Sequence, residues 1–117
     1  MAKYIYLQYV DESQVPPPGS PQMQAVIDAF ANYLEELKAA GAFHDGDPCQ
    51  PSSAAFSVQV RDGHAKTTNG PMDPKSPWLN GYFVLDCKDR AEALAWAQKN
   101  PAAFAGTVEV HPILKLS

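Results

Sequence analysis

The sequence predicts an α+β fold, with two helices laid on one face of an antiparallel sheet. Three observations carry that reading. Two amphipathic segments with helix start and stop signals stand far apart in the chain. Short β-rich runs stand at both ends and between them, including an unmistakable hairpin at Asp62-Gly63. The third is the order of the segments: strand, helix, hairpin, strand, helix, strand.

Lys3 to Val10 is rich in Tyr, Ile, Leu and Val and reads as the first strand. Ile5, Leu7 and Tyr9 share one face; Tyr4, Tyr6, Gln8 and Val10 share the other. The tyrosines suggest an interface or half-exposed second face, with Tyr6 a candidate ligand contact. Asp11 to Gly19, with three consecutive prolines, makes a stiff extended connector. Ser20 then caps a helix that has Pro21 in its first turn, where no hydrogen bond is lost. Met23, Val26, Ile27, Phe30, Leu34 and Leu37 form the stripe expected to pack on the sheet, and Gly41 ends the helix.

Ala42 to Ser53 reads as a loop holding His44, Asp45 and Asp47. The cluster offers a titratable imidazole beside carboxylates, so His44 and Asp45 are candidates for acid/base work. It lacks the further ligands of a metal site, and no metal is expected. A polar turn after a helix is the plainer reading. Ala54 to Arg61 alternates well, with Phe56, Val58 and Val60 on one face, and His64 to Thr68 returns after the turn. His64 is a second candidate base, although a solvated strand end is its simpler role.

The next stretch carries Asn69-Gly70-Pro71, Asp73-Pro74 and Ser76-Pro77, then Trp78. Its prolines cannot continue a strand, so the chain loops out between rigid elements, where binding groups often sit. Asn69, Asp73, Lys75 and Trp78 are the candidates here, Asp73 as an orienting carboxylate and Lys75 as a donor. Trp78 is expected to be substantially buried, as a lid or an anchor. Gly81 to Asp86 is a mostly apolar central strand that includes Tyr82, a further candidate donor. Asp89, with Glu92 three residues on, starts a second helix, with Ala91, Leu94, Ala95 and Ala97 as its small-residue face. It stops at Asn100, before Pro101. Thr107 to Ile113 closes the chain as a strand, Val108 and Val110 alternating with Glu109 and His111.

This order is ferredoxin-like, β-α-β-β-β-α-β. A sheet covered on one face leaves the other to be buried, and its apolar and aromatic content predicts a homodimer whose sheets pack together. At 117 residues one domain spanning 1–117 is expected. The net charge of -4, with basic residues scattered, argues against a nucleic-acid partner. The N-terminal run is too short and polar for a signal peptide or a membrane span, and the cytoplasm is the expected compartment. Cys49 and Cys87 match no metal or redox spacing and are read as reduced thiols, with a disulfide between them the alternative.

Taken together, ELKAAGAF, VRDG (Val60 to Gly63), TTNGPM (Thr67 to Met72), LNGYFVLD (Leu79 to Asp86), AEALAWA and GTVEVHPI (Gly106 to Ile113) resemble the YCII-related superfamily in its DGPF-domain branch. The resemblance implies a dimeric α+β barrel with a small-molecule cleft between sheet, loop and partner. It also implies kinship with proteins that carry a His-Asp acid/base pair and with one branch acting on chlorinated hydroxyquinones. Members encoded beside extracytoplasmic-function sigma factors imply a regulatory link. The chain departs from the pattern at the loop. The namesake motif reads Asn69-Gly70-Pro71-Met72, and the first glycine of the following Gly-Gly is Asn80. Asn69 keeps the turn geometry but cannot act as a base.

Two functions follow. One is a small-molecule-binding or regulatory module without an intact catalytic motif. The other is a cofactor-independent acid/base enzyme of lyase, isomerase or dehydrohalogenase type, acting on a small substrate, with aromatic compounds among the candidates. It would use His64 or His44 as base, Asp73 or Asp45 to orient it, and Lys75 or Tyr82 as donor. An oxygenase reading, with Trp78 and Asn80 near the substrate, rests on fold analogy alone. No cofactor is implied.

Overall fold

The computed structural model describes residues 1–116. Strand β1 (Ala2–Val10) leads through the proline connector to helix α1 (Pro21–Ala39), then β2 (Phe43–Pro48). The hairpin β3 (Phe56–Arg61) and β4 (His64–Asn69) follows, then β5 (Trp78–Cys87), α2 (Arg90–Lys99), the single turn α3 (Ala102–Ala105) and β6 (Thr107–Pro112). The main sheet is antiparallel in the order β2-β5-β1-β6, the ferredoxin-like arrangement.

Local signals set most boundaries. The Ser20 hydroxyl accepts from Met23 N–H at 3.1 Å, with Pro21 behind it in the first turn. Asp89 caps α2 through Glu92 N–H at 3.0 Å, and Glu92 reaches back to Lys88 N–H. Asp62 and Gly63 have φ of 51° and 77°, the pair a tight hairpin requires.

The stretch read as a loop over 42–53 contains β2, and this strand, rather than the hairpin, completes the sheet. Its sequence, FHDGDP, has no β-branched residue and no alternation. It pairs because β5 offers a free edge and because Gly46 leaves room for the Phe83 ring. A Cβ at Gly46 would lie 2.7 Å from that ring.

The face assignment of β1 is also corrected. Tyr6 is no ligand contact on a second face: it is fully buried beneath the helices, and its hydroxyl donates to Ala93 O at 2.8 Å. A tyrosine is at home in a core when its hydroxyl finds an acceptor. Tyr33 does likewise, donating to Trp96 O at 2.8 Å. With Leu37, Phe83, Leu85, Cys87 and Ala93 they form the core. Ile5, Leu7 and Tyr9 face the other way, alongside Tyr82 and Val84, on a half-buried sheet face that none of the helices covers among the described residues. On α2 the buried residue is Ala93, with Trp96 and Ala97 against the core, while Leu94 is exposed.

The hairpin stands apart as an arm. Phe56, Val58 and Val60 are 71%, 56% and 57% exposed, so the apolar face of the arm meets solvent. The radius of gyration is 16.1 Å, against about 13 Å for a compact chain of this length. The arm is joined to the body at a narrow neck, where Gly70 N–H donates to Ala55 O at 2.7 Å and Ser57 Oγ to Gly70 O at 3.0 Å.

Both cysteines are free thiols. Burial pushes the Cys87 thiol up from its ordinary range, opposed in part by the Tyr6 hydroxyl 3.8 Å away. Burial likewise pushes the Tyr6 phenol up. The folded chain then holds protons that the unfolded chain has already released. Stability is complete below the unfolded thiol pKa of about 8.5. It falls as pH rises beyond that, by up to about 1.4 kcal/mol per pH unit for each group. Urea unfolding from about pH 7 to about pH 10.5 checks this. Cys87→Ala should remove the decline that begins near pH 8.5 and leave the one that begins near the tyrosine range at about 10.

Candidate functional site

The first half of α1 does not lie on the sheet. Only Tyr33 and Leu37 of the helix are buried, while Val26 and Ile27 are 38% and 53% exposed. The stripe predicted to pack is therefore split. Its C-terminal part enters the core, and its N-terminal part overhangs the end of the sheet. The rigid connector holds the helix start away from β1 and is itself pinned, since Ser52 N–H donates to Glu12 Oε2 at 3.0 Å.

Under the overhang lies a cleft of about 680 Å³, within the range of small-molecule sites. Met23, Val26 and Phe30 of α1 form one wall and Val10, Val15 and Pro16 another. Trp78, Pro48 and Cys49 close one side, and Pro101 and Phe104 the other. Trp78 is partly buried, its indole N–H donating to Gln50 O at 2.9 Å. That bond fixes the ring as a wall.

The polar groups of the cleft are a minority. Asp11, Gln14, Asn32, Glu36 and Lys99 lie around it, with Lys99 Nζ 3.3 Å from Glu36 Oε1. At the sheet end sits Asn80, which lines the cleft. A register shift puts it there: Gln8 pairs with Gly81 and Tyr9 with Leu79, so Asn80 is an extra residue in β5. Beneath it, Gln8 and Asn100 are almost completely buried. Asn100 Nδ2 donates to Gln8 Oε1 at 2.8 Å, and Gln8 Nε2 to Asn80 Oδ1 at 3.2 Å.

The other residues singled out from sequence fall in three separate places. His44, Asp45 and Tyr82 lie at the β2–β5 edge of the open face, where Tyr82 OH donates to Asp45 Oδ2 at 3.4 Å. His44 Nδ1 is 3.7 Å from Asp86 Oδ2, and Lys3 Nζ is 3.7 Å from the other oxygen, Asp86 Oδ1. Partial burial, followed by the carboxylates of Asp45 and Asp47, raises the Tyr82 phenol above its ordinary pKa. His64 and Asn69 are on the exposed arm. Asp73 and Lys75 are exposed in the following loop, where Asp73 Oδ1 accepts from Lys75 N–H at 2.9 Å. That makes Asp73 a turn-former. His64 and Asp73 therefore have no place beside His44 and Asp45. Among the described residues no three His, Cys, Asp or Glu side chains group as metal ligands.

Sequence reasoning reached Trp78 and Asn80 but missed Gln8, Phe30 and Asn100. A glutamine amid apolar residues on a core-facing strand was the available signal, since a buried amide must be answered by another polar group.

Known proteins are similar to the chain over most of its length. An uncharacterised protein, R00369, from Rhizobium meliloti (strain 1021) is 25% identical over 112 residues, which span 94% of this chain and 90% of the relative. Among solved structures, the 5-chloro-2-hydroxyhydroquinone dehydrochlorinase TftG from Burkholderia phenoliruptrix AC1100, complexed with 2,5-dihydroxybenzoquinone, aligns with a TM-score of 0.45 and 20% identity, covering 95% of this chain and 91% of that one. The sequence pattern of the YCII-related domain matches residues 1–117, and the chain belongs to that family.

Proposed function

We propose that the protein is a small-molecule-binding module of the YCII-related family that works as a homodimer, with the cleft beneath α1 as its binding site. The cleft carries the reading. It is about 680 Å³ in volume, apolar-walled and fitted with a few fixed polar groups, the composition of small-ligand sites. Among the described residues no histidine lines it, His44 and His64 lying elsewhere. Dimerisation is supported by two uncovered apolar surfaces, the open sheet face and the arm.

A thermal-shift screen of the purified protein against metabolite, phenol and quinone pools tests the reading, each hit being followed by a turnover assay. A ligand at a hundred times its Kd stabilises the fold by about 2.7 kcal/mol. Stabilisation without turnover is the expected result, and no stabilisation by any pool would count against a binding role. Turnover lost in His44→Ala with the fold intact would favour an acid/base enzyme. The pairing of His44 with Asp86 at 3.7 Å keeps that second reading in view.

A further inference from the structure

The three amides at the end of the cleft have a direction. Ala102 N–H, a backbone group that can only donate, meets Asn100 Oδ1 at 2.9 Å. Asn100 must therefore turn its NH₂ to Gln8, whose Oε1 accepts at 2.8 Å. Gln8 in turn must present its own NH₂ to Asn80, whose Oδ1 accepts at 3.2 Å. Rotating any one amide would set donor against donor or acceptor against acceptor in a buried place. Asn80 is left with its NH₂ outward, and among the described residues those two N–H groups have no partner. A polarity set at a backbone atom thus reaches the cleft through three side chains.

Resting on the reading of the cleft as a binding site, we infer that Asn80 selects the ligand as a non-anionic, largely apolar compound bearing a carbonyl-type hydrogen-bond acceptor. The acceptor requirement follows from the outward NH₂. The exclusion of an anion follows from the rim, where Glu36 already engages Lys99 and Asp11 is left to repel one. The apolar body follows from Val10, Val26, Phe30 and Trp78.

The test uses three probes of similar size: 1-tetralone with an acceptor, indole with a donor only, and tetralin with neither. Isothermal titration of the wild type should rank 1-tetralone first, by about fivefold, the worth of one well-placed hydrogen bond. Asn80→Asp keeps the acceptor that Gln8 needs and removes the outward donors, so it should abolish that preference while tetralin binding stays within about twofold. Val26→Trp fills the cleft and should abolish binding of all three. If 1-tetralone binds the wild type no better than tetralin, or Asn80→Asp keeps the preference, the selection by Asn80 is overturned while the cleft stands. If Val26→Trp leaves binding untouched, or no probe binds the wild type, both are overturned.

Discussion

Val58→Asp is expected to convert the protein from a dimer to a monomer. Light scattering at micromolar concentration should show twice the chain mass of 12.7 kDa for the wild type and the single mass for the variant. Val58 is central on the arm's apolar face, between Phe56 and Val60, and all three are more than half exposed within one chain. A two-stranded ribbon with nothing against it is marginal in water, so this surface calls for a partner. The open sheet face, with Ile5, Leu7, Tyr9 and Val84, calls for one too. A carboxylate buried unpaired in such an interface weakens association by about 4 kcal/mol, roughly a thousandfold. The arm lies outside the core, so slow hydrogen exchange at β1 and β5 should survive in the variant. A monomeric wild type would overturn the paired assembly, and a dimeric Val58→Asp would overturn the arm as its seam and leave the open sheet face to carry it.

The second large effect is on stability. Asn100→Ala should lower the unfolding free energy by about 3 kcal/mol, read from urea melts. Asn100 is fully buried and serves two groups at once, Ala102 N–H and Gln8 Oε1. Truncation strips both of their partners, and each orphaned buried group costs about 1–3 kcal/mol. Asn100→Asp separates the two parts. It retains an acceptor for Ala102 but sets a carboxylate against Gln8 Oε1, which forces Gln8 to turn over and take its donors from Asn80. The variant should therefore lose the 1-tetralone preference as well as stability. An unchanged urea midpoint in Asn100→Ala would show that the amide chain contributes little to the fold.

Much of this molecule was legible before any coordinates, for reasons that lie in short stretches of chain. Ser20-Pro21, Asp62-Gly63 and the Asp89/Glu92 pair each fix an element end through a hydrogen bond or a backbone angle within four residues. What stayed hidden depends on distant partners. β2 is a strand only because β5 has a free edge, and FHDGDP carries no periodicity of its own. The two faces of β1 are both apolar enough to be core, and Tyr6 chooses its side through a carbonyl at Ala93, 87 residues away. The stripe on α1 was read correctly as apolar. Its outer half lines the cleft instead of the core because the connector sets the helix at a distance, which periodicity does not encode. The cleft itself gathers residues from Val10 to Ala105. Among them only Trp78 and Asn80 stand out from sequence as neighbours of a ligand, a bulky ring after a proline-rich loop and an amide where glycine is expected.

The narrow neck of the arm has a consequence for how the chain can change. Because Ala55 and Gly70 are bonded at 2.7 Å, the residues between them begin and end at one point on the body. Excising 56–69 leaves two ends already in register for rejoining, and none of those residues belongs to the core cluster or lines the cleft. The arm is thus a cassette, open to being lengthened, trimmed or exchanged while the lining of the cleft stays as it is.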